Sequence, residues 1–114
     1  MTKRPGICLS VSGPGMTNCI SGLANAWSNK WPMILISGNV DTYQEGTGGF
    51  QETDQLHFAK TLCKYYARPN EIARIPIFIE KAIKASIYGP PGPVYIDLPG
   101  DLLSQSIEVS KIQW

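Results

Sequence analysis

Gly13-Pro14-Gly15, reached from the apolar run Cys8–Val11 and followed at once by Met16-Thr17-Asn18, is a combination able to seat a ligand on bare backbone. Gly13 and Gly15 carry no side chain, so main-chain N–H groups are open to a molecule that docks at the turn. The neighbouring residues narrow what could dock. A phosphate-binding Walker loop needs Lys and then Ser or Thr after its last glycine, whereas Gly15 is followed by Met16-Thr17. A dinucleotide fingerprint needs a third glycine for close helix–strand packing, and Asn18 stands in its place. The glycines alone leave a tight turn with no ligand as open as a binding turn.

A second chemistry-bearing stretch runs from Asn39 to Gln51, NVDTYQEGTGGFQ. It is long for a connection, and loops of that length are functional or disordered. Its Gly46-Thr47-Gly48-Gly49 segment reads as mobile enough to fold over a ligand, and Phe50 beside Gln51 sets an apolar side chain next to a hydrogen-bonding one. Composition alone favours a floppy surface loop with one aromatic tucked inward. His57 is the single histidine and reads as a satisfied helix residue, which leaves too few ligands for a metal site of protein side chains.

The elements that must position these residues follow from pattern. Ile7–Val11 reads as a strand, and Thr17 or Asn18 as the cap of a helix running to about Asn29, with Ile20, Leu23, Ala24 and Trp27 on its apolar face and Ser21, Gly22 and Ala26 small enough for close packing. Trp31–Ser37 is a continuous apolar run, as in a parallel strand covered on both faces, with Pro32 confined to its start. Thr53–Leu62 is a short helix and Lys64–Ala67 a short strand. Pro76 belongs in the first turn of a helix whose Ile79, Ala82, Ile83 and Ile87 face inward, whose Glu80 and Lys84 pair outward, and which Gly89 ends. Val94–Leu98 is a last buried strand, stopped by Pro99, and Leu102–Trp114 reads as a linker with a little residual structure. The alternation predicts an α/β fold: an open, mostly parallel sheet flanked by helices, with ligands outside the carboxyl ends of the strands and with poorly covered edges.

With 114 residues, a net charge of +1 and 43% hydrophobic content, the chain has room for one globular unit and no electrostatic case for nucleic acid or an acidic membrane. No apolar run is long enough to span a bilayer, and MTKRPG lacks the apolar core of a signal peptide. Three cysteines without a CxxC pair fit a reducing intracellular compartment, with Cys8 and Cys63 expected as buried strand residues.

Taken in order, SGPGMTN, WPMILISG, GFQETDQ, IPIFIEKAIKASIYG and GPPGPVYIDLP resemble the pyrimidine-binding (PYR) domain of thiamine-diphosphate-dependent enzymes, over about Arg4 to Leu103. Within that family the pattern is most similar to 2-hydroxyacyl-CoA lyases, with oxalyl-CoA decarboxylases and acetolactate synthases close behind. The resemblance implies residues 1–103 as a partial PYR domain and 104–114 as the start of an inter-domain linker. It implies that Gly13, Pro14, Gly15, Asn18, Phe50 and Gln51 line the aminopyrimidine pocket, with Gln51 facing the reacting centre. It also implies Mg²⁺ and the diphosphate held by a domain outside this chain, a second subunit of a homo-oligomer completing the site, and an acyl-CoA substrate.

The chemistry implied is carbanion chemistry with the cofactor as electron sink: a 2-hydroxyacyl-CoA is cleaved to an aldehyde and formyl-CoA, as in fatty acid α-oxidation. A peroxisomal home goes with the lyase resemblance and a cytoplasmic one with the alternatives. The family's catalytic glutamate belongs upstream of the SGPG strand, and Glu45, Glu52, Glu71, Glu80 and Glu108 all stand in other contexts, so none is assigned that role. The expectation is therefore a truncated product or partial sequence, inactive alone. A different class remains: a small non-catalytic module that binds a partner or nucleotide-like ligand through SGPGMTN, which leaves Gly48–Gln55 without a purpose.

Overall fold

A computed structural model describes residues 4–114. Four strands, β1 (Gly6–Ser10), β2 (Met33–Asn39), β3 (Tyr65–Ala67) and β4 (Pro93–Pro99), form one sheet in the order β1-β2-β4-β3, and every pairing is parallel. Parallel neighbours need crossover connections, which the helices supply. These are α1 (Pro14–Asn18), α2 (Ile20–Asn29), α3 (Gln55–Lys60) and α4 (Ile75–Ile87), with α5 (Gly100–Ser104) following β4.

Strand side chains alternate between faces, so the central strands β2 and β4 each serve two cores. On one face Leu35, Tyr95 and Cys63 pack with Met16, Leu23 and Ala59 from α1, α2 and α3. On the other, Ile34, Val94 and Ile96 pack with Ala82, Phe78 and Ile79 of α4. The sequence expectation of an open parallel α/β sheet holds, and its elements appear in the expected order.

Several local expectations shift. Thr17 and Asn18 are not caps: the first helix begins at Pro14, whose missing N–H suits an opening turn, and Gly13 is its N-cap. Ala26 rather than Trp27 is buried in α2, while Ser21 and Gly22 face solvent; Trp27 lies half out of the fold beneath Lys30 Nζ, 5.0 Å from the ring centroid. In α4 the innermost residues are Ala82 and Ser86, with Ile83 exposed. In α4 small residues at the centre of the buried stripe let the helix approach the sheet, and the bulky Ile83 splays to the side. Trp31 precedes β2 and is exposed, and Cys63 is buried in the turn before β3 rather than within a strand. The expected Glu80–Lys84 pair forms at 2.5 Å.

The C-terminal stretch touches the rest of the fold at Leu102 and at Gln113. Leu102 in α5 is buried, and the Gln113 N–H donates to Ala73 O at 2.9 Å. At the opposite side of the sheet β1 is the edge strand, and its Ile7 and Leu9 are 66% and 74% exposed, because α4 covers β2 and β4 but not β1. A shallow apolar groove lined in part by Leu9, Ile36, Leu98 and Leu103 runs along this bare face. Among the described residues no helix is long and apolar enough to cross a membrane.

Candidate functional site

The Gly13 turn lies just beyond the carboxyl end of β1, the end of a parallel sheet where ligands collect. Gly13 has φ 60° and ψ −115°, a conformation open to glycine alone. A Cβ built there would stand 2.6 Å from Gln51 O and 2.9 Å from Gln51 Cβ; one built on Gly15 would stand 2.5 Å from Val11 Cγ2. Bare backbone at these two positions therefore admits the chain's own Gln51 and Val11, and the space is not simply left open for a ligand.

The contact joins the two stretches that stand far apart in sequence. Gln51 abuts Gly13, and the Ser12 hydroxyl donates to Gln51 Oε1 at 3.4 Å. Gln51 itself has φ 59°, a left-handed conformation costing a non-glycine residue about 1 kcal/mol. Such strain persists only where surrounding contacts hold it. Pro14 and Asn18 sit one turn apart on α1, both exposed, and Phe50 projects into solvent with 87% of its surface free. The Asn18 amide makes no hydrogen bond among the described residues. Gly13, Pro14, Gly15 and Asn18 thus share one turn with Gln51 against it, while the Phe50 ring stands out from the surface.

Behind the turn lies a buried polar network that strand and helix periodicity does not single out. Gln55, fully buried in the first turn of α3, accepts the Gly13 N–H on Oε1 at 2.7 Å. Its Nε2 faces Gly38 O and Tyr95 Oη at 3.0 Å each, Ser37 Oγ at 3.2 Å and Asp97 Oδ1 at 3.4 Å. The Ser37 and Tyr95 hydroxyls share a bond of 2.6 Å. Asp97 Oδ2 accepts from Asn39 at 2.9 Å and from the Nε and Nη2 of Arg68 at 3.0 and 2.8 Å. Arg68 continues outward to Glu45. Burial raises the Asp97 pKa, with Arg68 and Asn39 opposing it. Burial works against the Arg68 charge, yet its bonds to Asp97 and Glu45 win and hold it firmly protonated. Tyr95 is pushed up by burial and then by the nearby Asp97, so its hydroxyl stays neutral. The available signal was three polar residues, Ser37, Tyr95 and Asp97, inside otherwise apolar strand runs.

The glycine-rich loop is anchored, contrary to the mobile reading. The Glu52 carboxylate accepts the N–H groups of Gly46, of Gly48 at 2.8 Å and of Gly49 at 3.0 Å. Thr42, at the loop's start, donates through its N–H and hydroxyl to Asp101 at 3.0 and 2.6 Å. The bond from Gly46, followed by those from its neighbours, lowers the Glu52 pKa. A depressed folded pKa means the tether is complete above the ordinary glutamate value of about 4.3 and is lost as pH falls through the lower folded value. Glu52→Gln should therefore speed amide exchange at Gly46, Gly48 and Gly49 at neutral pH. Wild-type chain should match it only in acid, an outcome that exchange measured against pH would check.

The remaining glutamates have other partners where bonds are seen: Glu45 with Arg68, Glu80 with Lys84 and Glu108 with Lys111. None of these pairs involves the Gly13 turn.

Comparison with known proteins adds the family. Residues 1–58 match the model for "Thiamine pyrophosphate enzyme, N-terminal TPP binding domain". Over 114 residues the chain is 44% identical to 2-hydroxyacyl-CoA lyase 1 of Homo sapiens, covering all of this chain and 20% of that protein. It is 42% identical over 113 residues to oxalyl-CoA decarboxylase of Escherichia coli (strain K12), 95% of this chain and 20% of the relative. It is 39% identical over 102 residues to the chloroplastic acetolactate synthase of Arabidopsis thaliana, 90% of this chain and 15% of the relative. The chain thus spans about a fifth of the length of the relatives it matches. Matched across half its length by that model, and carrying the parallel sheet with its glycine turn, the chain belongs to the thiamine pyrophosphate enzymes through their N-terminal TPP-binding domain, and the cofactor it serves is thiamine diphosphate.

Proposed function

We propose that this chain supplies the aminopyrimidine-binding wall of a thiamine-diphosphate-dependent carbon–carbon lyase acting on 2-hydroxyacyl-CoA. The observation that carries it is the seating of Gln51 against Gly13 beside the exposed Pro14 and Asn18, which joins the two stretches whose sequence resembles the family's pocket. Gly13, Pro14, Gly15, Asn18, Phe50 and Gln51 form the wall. The Asn18 amide would be free to meet the ring edge, the Phe50 ring would offer an apolar surface, and Gln51 would serve the reacting centre, as the family resemblance implies. When bound, the cofactor supplies an electron sink for the carbanion left by carbon–carbon cleavage.

Residues 1–103 act in this reading as part of the domain, and 104–114 lead toward the next. Mg²⁺ and the diphosphate belong to another domain, a second subunit completes the site, and the whole enzyme resides in the peroxisome. Its net reaction divides a 2-hydroxyacyl-CoA into an aldehyde and formyl-CoA. The similarity to oxalyl-CoA decarboxylase supports a second reading in which the acyl group is oxalyl.

Calorimetry of this chain with thiamine, thiamine diphosphate and ATP tests the binding role. A wall for the pyrimidine alone takes thiamine and thiamine diphosphate with similar affinity and ignores ATP. Tight ATP binding, or strict dependence on the diphosphate, would overturn it. For the whole protein, formyl-CoA release from a 2-hydroxyacyl-CoA supports the lyase, and formyl-CoA release from oxalyl-CoA alone supports the second reading.

A further inference from the structure

We propose that Gln55 is a positioning residue: its side-chain amide locks the Gly13 turn onto the carboxyl ends of β2 and β4, so that the aminopyrimidine wall is shaped before its ligand arrives. The proposal rests on the reading of that turn as the cofactor wall.

The geometry of the amide is unusually determined. Oε1 takes the Gly13 N–H at 2.7 Å, and Nε2 faces oxygens of Ser37, Gly38, Tyr95 and Asp97 between 3.0 and 3.4 Å. Two protons thus serve four acceptors. Rotating the amide by a half-turn would set an NH₂ against the Gly13 N–H and an oxygen against the Gly38 carbonyl and the Asp97 carboxylate, so only one orientation is tolerated. Gly13 is buried, and β1 has already ended at Ser10, so no strand ladder receives its N–H. An unmet buried N–H is costly, and Gln55 meets it. Gly13 also holds a conformation only glycine reaches, which needs fixing from outside.

The lock is itself fixed. Tyr95 and Ser37 bond each other, and the Asp97 carboxylate that faces Nε2 is held from its other oxygen by Asn39 and Arg68. Among the described residues, Gln55 is thus the single side chain seen to bond both the turn that carries Pro14 and Asn18 and the carboxyl halves of two central strands, at Gly38 and Asp97. A residue serving only to fill space could be exchanged for an apolar one of like volume at small cost; the lock could not.

The charged and titratable groups around position 55 are Asp97 and Tyr95 of β4, Arg68 beyond β3 with its outer partner Glu45, and Cys63, which lies near Tyr95. They make Gln55→Glu informative. A protonated carboxyl keeps an accepting oxygen for the Gly13 N–H and supplies one O–H donor in place of the amide's two N–H donors, whereas the ionised form accepts only and confronts Asp97. Three chains are compared: wild type, Gln55→Met and Gln55→Glu. Exchange of the Gly13 amide and thiamine affinity are read from about pH 8 to about pH 5.5, each relative to wild type at the same pH, with the Leu35 and Tyr95 amides reporting global unfolding.

The expected result is a loss of about tenfold in both Gly13 protection and thiamine affinity for Gln55→Met at every pH, and for Gln55→Glu at high pH with recovery in acid. Wild-type protection of Gly13 and wild-type affinity in Gln55→Met, with core amides unchanged, would overturn the proposal. If Gln55→Met fails to fold, Gln55→Glu alone decides: no recovery in acid overturns it. Acid-restored Gly13 protection in a chain whose wild type takes no thiamine supports the lock and removes the cofactor reading instead.

Discussion

Gly13→Ala is expected to destabilise the chain by about 3 kcal/mol and to lower its affinity for thiamine by more than tenfold. Two terms add. Alanine cannot adopt φ 60° with ψ −115° without strain, and its Cβ would fall 2.6 Å from the Gln51 carbonyl oxygen, which is backbone and cannot swing aside. Either the turn or the Gln51 loop must move, and in both cases the wall is pulled apart. Gly22→Ala is the control. Gly22 lies exposed in α2 with nothing within 4 Å of the added methyl, so alanine there should stabilise by about 0.5–1 kcal/mol. Urea midpoints for the two variants, with calorimetry alongside, check both signs. Equal midpoints for Gly13→Ala and wild type would show that the turn is not closed against Gln51.

Arg68→Leu should cost about 3–5 kcal/mol near neutral pH, because it strands the Asp97 carboxylate in the core. The cost should shrink as pH falls. Asp97 already has a folded pKa above the ordinary carboxylate value, so between the unfolded and folded values the native chain binds more protons and stability falls as pH rises. Removing the guanidinium lifts the folded value further and enlarges that dependence. Urea unfolding at about pH 7 and about pH 5 should show a large deficit and then a smaller one. A deficit of the same size at both would mean the buried charge is not its source. Replacing Asp97 as well, in Arg68→Leu/Asp97→Leu, should regain part of the loss, since an unpaired buried charge costs more than a matched apolar pair.

How legible these features were in the sequence follows from the range over which each is determined. The strands at Ile34–Ile36 and Val94–Ile96 were readable because a strand buried on both faces needs an unbroken apolar run, which is a local property. Pro76 announced its helix start for an equally local reason. Trp27 and Ile83 were misplaced because hydrophobicity ranks them above Ala26 and Ser86, which are buried in their helices. Thr17 and Asn18 looked like caps by type, yet Pro14 opens the helix earlier. At the site, Gly13 and Gln51 were named, but their mutual contact spans 38 residues of sequence and no periodicity encodes it. Gln55 was invisible for a related reason. A buried glutamine is recognisable only once Gly13, Gly38, Tyr95 and Asp97 are known to surround it.

The uncovered row Ile7, Leu9 and Val11 has a consequence for the chain as a substance in solution. A net charge of +1 provides little mutual repulsion between molecules, and the greasy rim of the sheet offers them somewhere to meet. Kosmotropic salts strengthen that attraction by being excluded from the surface, so sulfate and phosphate buffers should drive this polypeptide out of solution sooner than dilute chloride does.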